Sequence, residues 1–142
     1  MKWTLFATLL LCACGDEDDK ADDSVAQDSD ATDDSAAADG PDLALTDITK
    51  DGDTLTLRYC NVGTEGGETT VPLRLMNVDT TQAWERGGHA FPEPDACAES
   101  DPVPCADVGL DCAQEVVVEG VVDPYDAIRE LDETNNRGTF RL

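Results

Sequence analysis

From Leu43 onward, apolar residues recur at alternate positions in short runs, and turn residues end each run. Leu55, Leu57 and Tyr59 alternate with Thr56 and Arg58; Val71, Leu73 and Leu75 alternate in the next run. A period of two puts one face of a strand against a core and the other in water. Asp51-Gly52-Asp53 has the chemistry of a tight turn between a first strand, Leu43 to Thr49, and a second, Thr54 to Cys60. The third runs from Thr69 to Asn77, and Pro72 directs its start toward an edge or a bulge. Glu115 to Val122 is the most apolar run and reads as a central strand. Arg137 to Leu142 closes the sheet with Phe140 and Leu142 inward. No stretch supports a long helix. The roughly 100 residues from Pro41 to Leu142 suffice for one β-sandwich but not for two domains.

The segment Thr80 to Leu110 is less regular. Trp84 is expected to pack, while Gly87, Gly88, Pro92, Pro94, Pro102 and Pro104 break any long element. Short strands and a long decorated loop are expected there. His89, the single histidine, falls in this Gly- and Pro-flanked region.

Four cysteines lie in the domain: Cys60, Cys97, Cys105 and Cys112. An even number in an exported domain with few aromatics reads as two disulfides that reinforce a modest core. Three pairings are open. The crowding of Cys97, Cys105 and Cys112 suggests that the irregular insert is stapled to itself and, through Cys60, to the sandwich. A zinc site using these cysteines with His89 is disfavoured by the lack of any Cys-x-x-Cys pair and by an oxidising compartment.

The last two strands are joined by a long acidic connection. Pro124 stops the strand at Asp123, and Asp123 and Asp126 can bond nearby amides. Ile128 and Leu131 sit three apart, which predicts one helical turn laying both on the end of the core. Glu130, Asp132 and Glu133 would then point outward, and Asn135 and Asn136 suit a left-handed re-entry into the last strand. Asp123, Asp126, Glu130, Asp132, Glu133 and Asn135 form the best candidate calcium cluster, since calcium takes six to eight oxygens; their spacing is not that of an EF-hand. The alternative is a solvated acidic loop whose polar groups serve its own backbone.

The N-terminus sets the expected compartment. Met1-Lys2 is a basic start, and Trp3 to Leu11 is an apolar run too short to span a membrane. Leu11-Cys12-Ala13-Cys14-Gly15 resembles the lipobox of bacterial lipoproteins, which implies a signal peptide over 1–13 and a lipidated Cys14; the alternative is an ordinary secretory signal cleaved nearby. Gly15, rather than Asp, after that cysteine implies the outer membrane. Acyl chains on Cys14 would supply the membrane contact. Residues 14–40 then form a tether rich in Asp, Ala and Ser, with too little apolar surface to fold. A neutral flexible chain of that length spans about 30 Å, and self-repulsion extends it.

Charge narrows the partners. The chain carries 32 Asp and Glu against 9 Lys and Arg, a formal charge of −23. Phosphate is repelled, which argues against nucleic acid and for cationic ligands, basic proteins or calcium. No Gly-x-Ser-x-Gly or P-loop pattern is present. A paired-carboxylate glycosidase is not excluded by composition, but a sandwich this small leaves little room for a substrate cleft.

Two stretches together resemble the CARDB family, the cell-adhesion-related domain found in bacteria. Asp123-Pro124, Ile128, Glu130 and Glu133-Thr134-Asn135-Asn136 resemble its end. Pro41-Asp42-Leu43-Ala44-Leu45-Thr46-Asp47-Ile48 resembles its first strand, and Leu55 to Gly63, closing on Asn61-Val62-Gly63, its second strand and turn. The resemblance covers roughly residues 41–142. It implies an immunoglobulin-like antiparallel β-sandwich, here of about seven strands, used outside the cytoplasm and without catalytic residues. The expected function is a lipid-anchored binding or adhesion module of the cell envelope, with a protein or cell-surface ligand and no enzyme activity. The alternative is an envelope structural protein, or a protease-inhibitor-like module that presents the 97–112 loop. Neither the oligomeric state nor the ligand follows from the sequence.

Overall fold

The structure is a computed structural model and describes residues 39–142. The expected signal peptide, the expected lipidation site Cys14 and the expected tether up to residue 38 lie outside the described residues.

Eight strands follow one another: β1 Leu43–Asp51, β2 Thr54–Asn61, β3 Val71–Asn77, β4 Ala83–His89, β5 Cys97–Glu99, β6 Val103–Pro104, β7 Val117–Val122 and β8 Arg137–Arg141. They form two antiparallel sheets. One is ordered β1-β2-β5, with β6 also pairing β2; the other is ordered β4-β3-β7-β8. β5 and β6 take the same side of β2, opposite Arg58–Cys60 and Thr54–Leu55 respectively. They are halves of one broken edge strand, so seven strand positions build the sandwich. This crossing between sheets is the immunoglobulin-like arrangement.

The break in that edge strand has a local cause. Ser100 donates its N–H to the Leu57 carbonyl, and its hydroxyl accepts the Leu57 N–H, so a side chain replaces one rung of the backbone ladder. Pro102 follows, and a proline is tolerated at an edge because no neighbour needs its missing donor. Between Thr80 and Leu110 the expected short strands are present as β4, β5 and β6, while residues 90–96, residues 100–102 and the 3₁₀ turn Cys105–Val108 lie outside the sheets.

The core lies between the sheets as the alternation requires. Leu55, Leu57 and Tyr59 of β2 face Val71, Leu73 and Leu75 of β3, and Val118 and Val122 of β7, all fully buried. Tyr59 donates its hydroxyl to the Ala90 carbonyl at 2.7 Å, which makes its burial affordable, and burial pushes its pKa up to about 12. Gly120 sits inward at the centre of β7. A Cβ there would lie 2.8 Å from both Ile48 and Leu45 side chains, so the facing sheet already fills the space that a larger residue would need. Pro72 lies at a register shift between β3 and β4, the bulge its ring demands inside a four-stranded sheet.

Two disulfides are present, Cys60–Cys97 and Cys105–Cys112. The first joins directly opposed residues of β2 and β5 on the outer face and pins the three-residue edge strand. The second closes the bend after β6 with both sulfurs in the core. The insert is thus stapled to itself and to the sandwich.

Candidate functional site

The strand directions bring four connections to one pole: residues 39–42 before β1, 62–70 between β2 and β3, 90–96 between β4 and β5, and 123–136 between β7 and β8. Backbone bonds tie them to one another. Val62 bonds to Asp42, Thr64 to Gly40, Asp95 to Asn61 and Leu131 to Pro41. Gly40, which the sequence reading places at the end of the tether, is buried within this network.

Asn61 is its hub. It is wholly buried. Its Oδ1 accepts the N–H groups of Asp42 and Gly63, and its Nδ2 donates to the carbonyls of Glu65 and Pro92. One side chain thereby satisfies backbone groups from three connections that no ladder reaches. Gly63 completes the corner, because a Cβ there would fall 2.3 Å from the Gly40 carbonyl oxygen.

The 123–136 connection differs in detail from the helical turn expected at Ile128–Leu131. No helix forms there. Ile128 packs on the core, but Leu131 is exposed and rests against Gly40. Glu130 takes the inward place instead. Its carboxylate accepts the N–H of Leu43, the first residue of β1, and the Asn136 amide. The unpaired donor at the start of β1 outcompetes solvent for that carboxylate, which periodicity alone does not foresee. Asp132 and Glu133 do stay exposed. The left-handed positions are Asp123 (φ 44°) and Asp126 (φ 50°), whereas Asn136 is right-handed at φ −73°.

Several polar groups of the connection therefore act as fasteners. Asp123 Oδ2 accepts the Ile128 N–H at 2.7 Å, and Asn135 donates to Asp42 at 2.7 Å, clasping the connection to the entry of β1. Asn136 donates to Glu130 and Glu133 at 3.2 and 3.1 Å. Asp132 caps the 3₁₀ turn Glu133–Asn135 by accepting the Thr134 hydroxyl and N–H, which hold its pKa below the usual range. Asp42 and Asn136, absent from the candidate site, are as central as its predicted members; the only trace in the sequence is the Asn-Asn pair before β8.

Of the six calcium candidates, Asp123, Asp126 and Glu133 line one open cavity of about 270 Å³ with Thr134, Asn136 and Arg137. Glu130 lines a neighbouring cavity, and Asp132 and Asn135 line neither. Among the described residues, no three His, Cys, Asp or Glu side chains already converge as metal ligands.

Burial pushes the Glu130 pKa up to about 7 from 4.5, against the opposing bonds from Leu43 and Asn136; nearby Glu133 and Asp123 add to the rise. The native state then holds a proton that the unfolded chain releases. Stability from this group is complete below pH 4.5 and is lost as pH rises toward 7. His89 opposes this: it ends β4 rather than lying in a loop, and burial lowers its pKa, so it favours the fold above its ordinary value of 6.5. We expect the Glu130→Gln protein to lose the downward slope of unfolding midpoint between pH 4.5 and 7 that the parent shows beyond its other groups. Parallel midpoint-versus-pH curves for the two proteins would refute this.

The pole is strongly acidic. Asp39 and Asp42, Glu65 and Glu68, Glu93 and Asp95, and Asp123, Asp126, Glu130, Asp132 and Glu133 stand in its connections against Arg129 alone. Arg74 on β3 and Arg141 at the end of β8 lie outside these connections, paired with Glu85 and Glu115, whereas Arg137, the first residue of β8, borders the pole and its cavity and pairs with Glu119. Arg74 also lies under the Tyr125 ring.

These features define an immunoglobulin-like sandwich with a loop-built acidic pole. No protein-family model matches the chain, and no curated protein does. Among solved structures, it is similar to the CARDB domain of a Pyrococcus furiosus protein determined in complex with di-metal ions. The two are 19% identical with a TM-score of 0.49, over 74% of this chain and 94% of that one. It is also similar to a part of beta-glucosidase 3B from Thermotoga neapolitana, in complex with alpha-D-glucose, at 17% identity and TM-score 0.39. That match takes in 71% of this chain and 15% of the glucosidase.

Proposed function

We propose that the chain is a lipid-anchored extracytoplasmic binding module, held to the envelope through Cys14, that engages a cationic partner with its acidic pole and performs no chemistry of its own. The observation that carries this reading is the gathering of four acidic connections at one end of the sandwich, with a single arginine among them. A surface of one sign raises the local concentration of opposite charge and speeds encounter. The pole is also preorganised: Asn61, Asn135 and Glu130 bind the loops to one another, so little ordering cost is left for binding.

The inhibitor-like alternative draws no support from a projecting loop. Residues Cys97–Glu99 and Val103–Pro104 are strand, and Val103, Cys105, Val108 and Cys112 are core.

The test is retention of a lysine-rich polypeptide by the immobilised full chain at low ionic strength. Glu68→Lys with Glu93→Lys, both exposed at the pole, should reduce retention about tenfold or more. Asp53→Lys with Asp107→Lys, the same charge change at the opposite pole, should reduce it far less. Equal losses would mean that net charge, not the pole, attracts the partner, and the reading would fail.

A further inference from the structure

We propose that the open cavity under the final connection is a low-affinity site for a hard divalent cation, with calcium as the ligand that fits. The acidic pole supplies the setting, so the inference rests on that reading for its location, but two separate atoms carry it. Asp123 is 1% exposed and Asn136 is 4% exposed, and both line the cavity. Asp123 Oδ1 and Asn136 Oδ1 are buried and have no hydrogen-bond partner.

A buried oxygen without a partner costs free energy comparable to a lost hydrogen bond, and more when it carries charge. Neither atom can escape by turning. Asp123 is fixed because its other oxygen holds the Ile128 N–H. Asn136 is fixed because its Nδ2 serves two carboxylates, Glu130 and Glu133, which a flipped amide would repel. Both orphans are acceptors, so the missing group is a donor or a cation. The cavity also offers the carboxylates of Asp126 and Glu133 and the Thr134 hydroxyl. A full carboxylate, an amide oxygen and further oxygens at a rim open to water match the mixed oxygen set that calcium accepts.

The affinity must be modest. The ligands are not already gathered around a point, Asp126 and Glu133 are exposed, and Arg137 also lines the cavity. A dissociation constant on the order of 10⁻⁴–10⁻³ M, as for extracellular calcium modules, is expected.

Thermal unfolding of the full chain tests the site, with 10 mM calcium, 10 mM magnesium or a chelator at equal ionic strength. Calcium should raise the midpoint by roughly 5 °C or more, the mass-action effect of a ligand well above its dissociation constant. Magnesium should do much less, because it gives up its waters reluctantly. Asp123→Asn and Asp126→Asn should each abolish the calcium shift. Asparagine tolerates the left-handed backbone at both positions and can still accept the Ile128 N–H, so these variants should fold. Asp132→Asn, outside the cavity, should keep the shift. No calcium shift in the parent chain would mean that water satisfies the two oxygens. An equal shift with magnesium, or in the Asp123 variant, would mean diffuse screening of the pole. Either result overturns the site. Neither bears on polypeptide retention, which is read at Glu68 and Glu93, so the two ideas fail separately.

Discussion

Replacing Asn61 by alanine should destabilise the domain by about 4 kcal/mol, the largest effect expected of a single polar substitution here. Four backbone groups lose their partner at once: the N–H of Asp42 and Gly63, and the carbonyls of Glu65 and Pro92. Each buried group left unsatisfied costs roughly 1–3 kcal/mol, and those nearest the pole surface recover part of this from water. At roughly 4–8 °C per kcal/mol for a domain of this size, the midpoint should fall by about 15–30 °C. The loss is concentrated because the four groups belong to three connections that meet at this one side chain, and the remaining bonds, such as Val62 to Asp42 and Thr64 to Gly40, do not reach these four groups' orphaned atoms. Urea unfolding of the oxidised protein at neutral pH measures it; a cost under about 1 kcal/mol would show that water takes over the corner without penalty.

Removal of the Cys60–Cys97 bridge as a Cys60→Ala, Cys97→Ala pair should cost about 4 kcal/mol on a chain-entropy account, because the closed loop is long. The bridge separates its cysteines by 37 residues, and the Cys105–Cys112 bridge by 7. The same account assigns about 2 kcal/mol of loop entropy to the shorter one. The two removals should also differ in place. β5 holds only three residues and lies at an edge, so losing its covalent tie should expose it locally before the domain unfolds. Amide exchange at Asn61, whose N–H bonds to Ala96, should rise strongly in the Cys60/Cys97 variant and little in the other. Equal stability losses and unchanged exchange at Asn61 would contradict this account.

Much of the sandwich is legible in local patterns. The alternation Leu55, Leu57, Tyr59 and Val71, Leu73, Leu75 is realised residue for residue, because strand geometry alone sets which side chains share a face. The Asp-Gly turn at 51–53, the bulge at Pro72 and the central place of Val117–Val122 follow from equally local chemistry. The site was legible only in part. The 123–136 connection is recognisably special from its Asp-Pro start and its Asn-Asn end, yet the direction of its side chains was not. Glu130 was expected in water and Leu131 on the core; the structure reverses them. The reason is a donor 87 residues away, the Leu43 N–H at the head of β1, which no periodicity within the connection can report.

The sequence alone therefore determines the five strands outside residues 80–110, which of their faces are apolar, that four cysteines accompany a modest core, and that the molecule is acidic throughout. Those properties arise from neighbours two to four residues apart, or from simple sums over the chain. Tertiary structure alone decided the pairing of the cysteines, the joining of β5 and β6 into one broken edge strand, and the meeting of four acidic connections at one pole. It also left Asp123 and Asn136, two of the residues that line one cavity, each with a buried oxygen without a partner. Each of these depends on which distant backbone groups the fold leaves unpaired, and that is settled only when the two sheets close on each other.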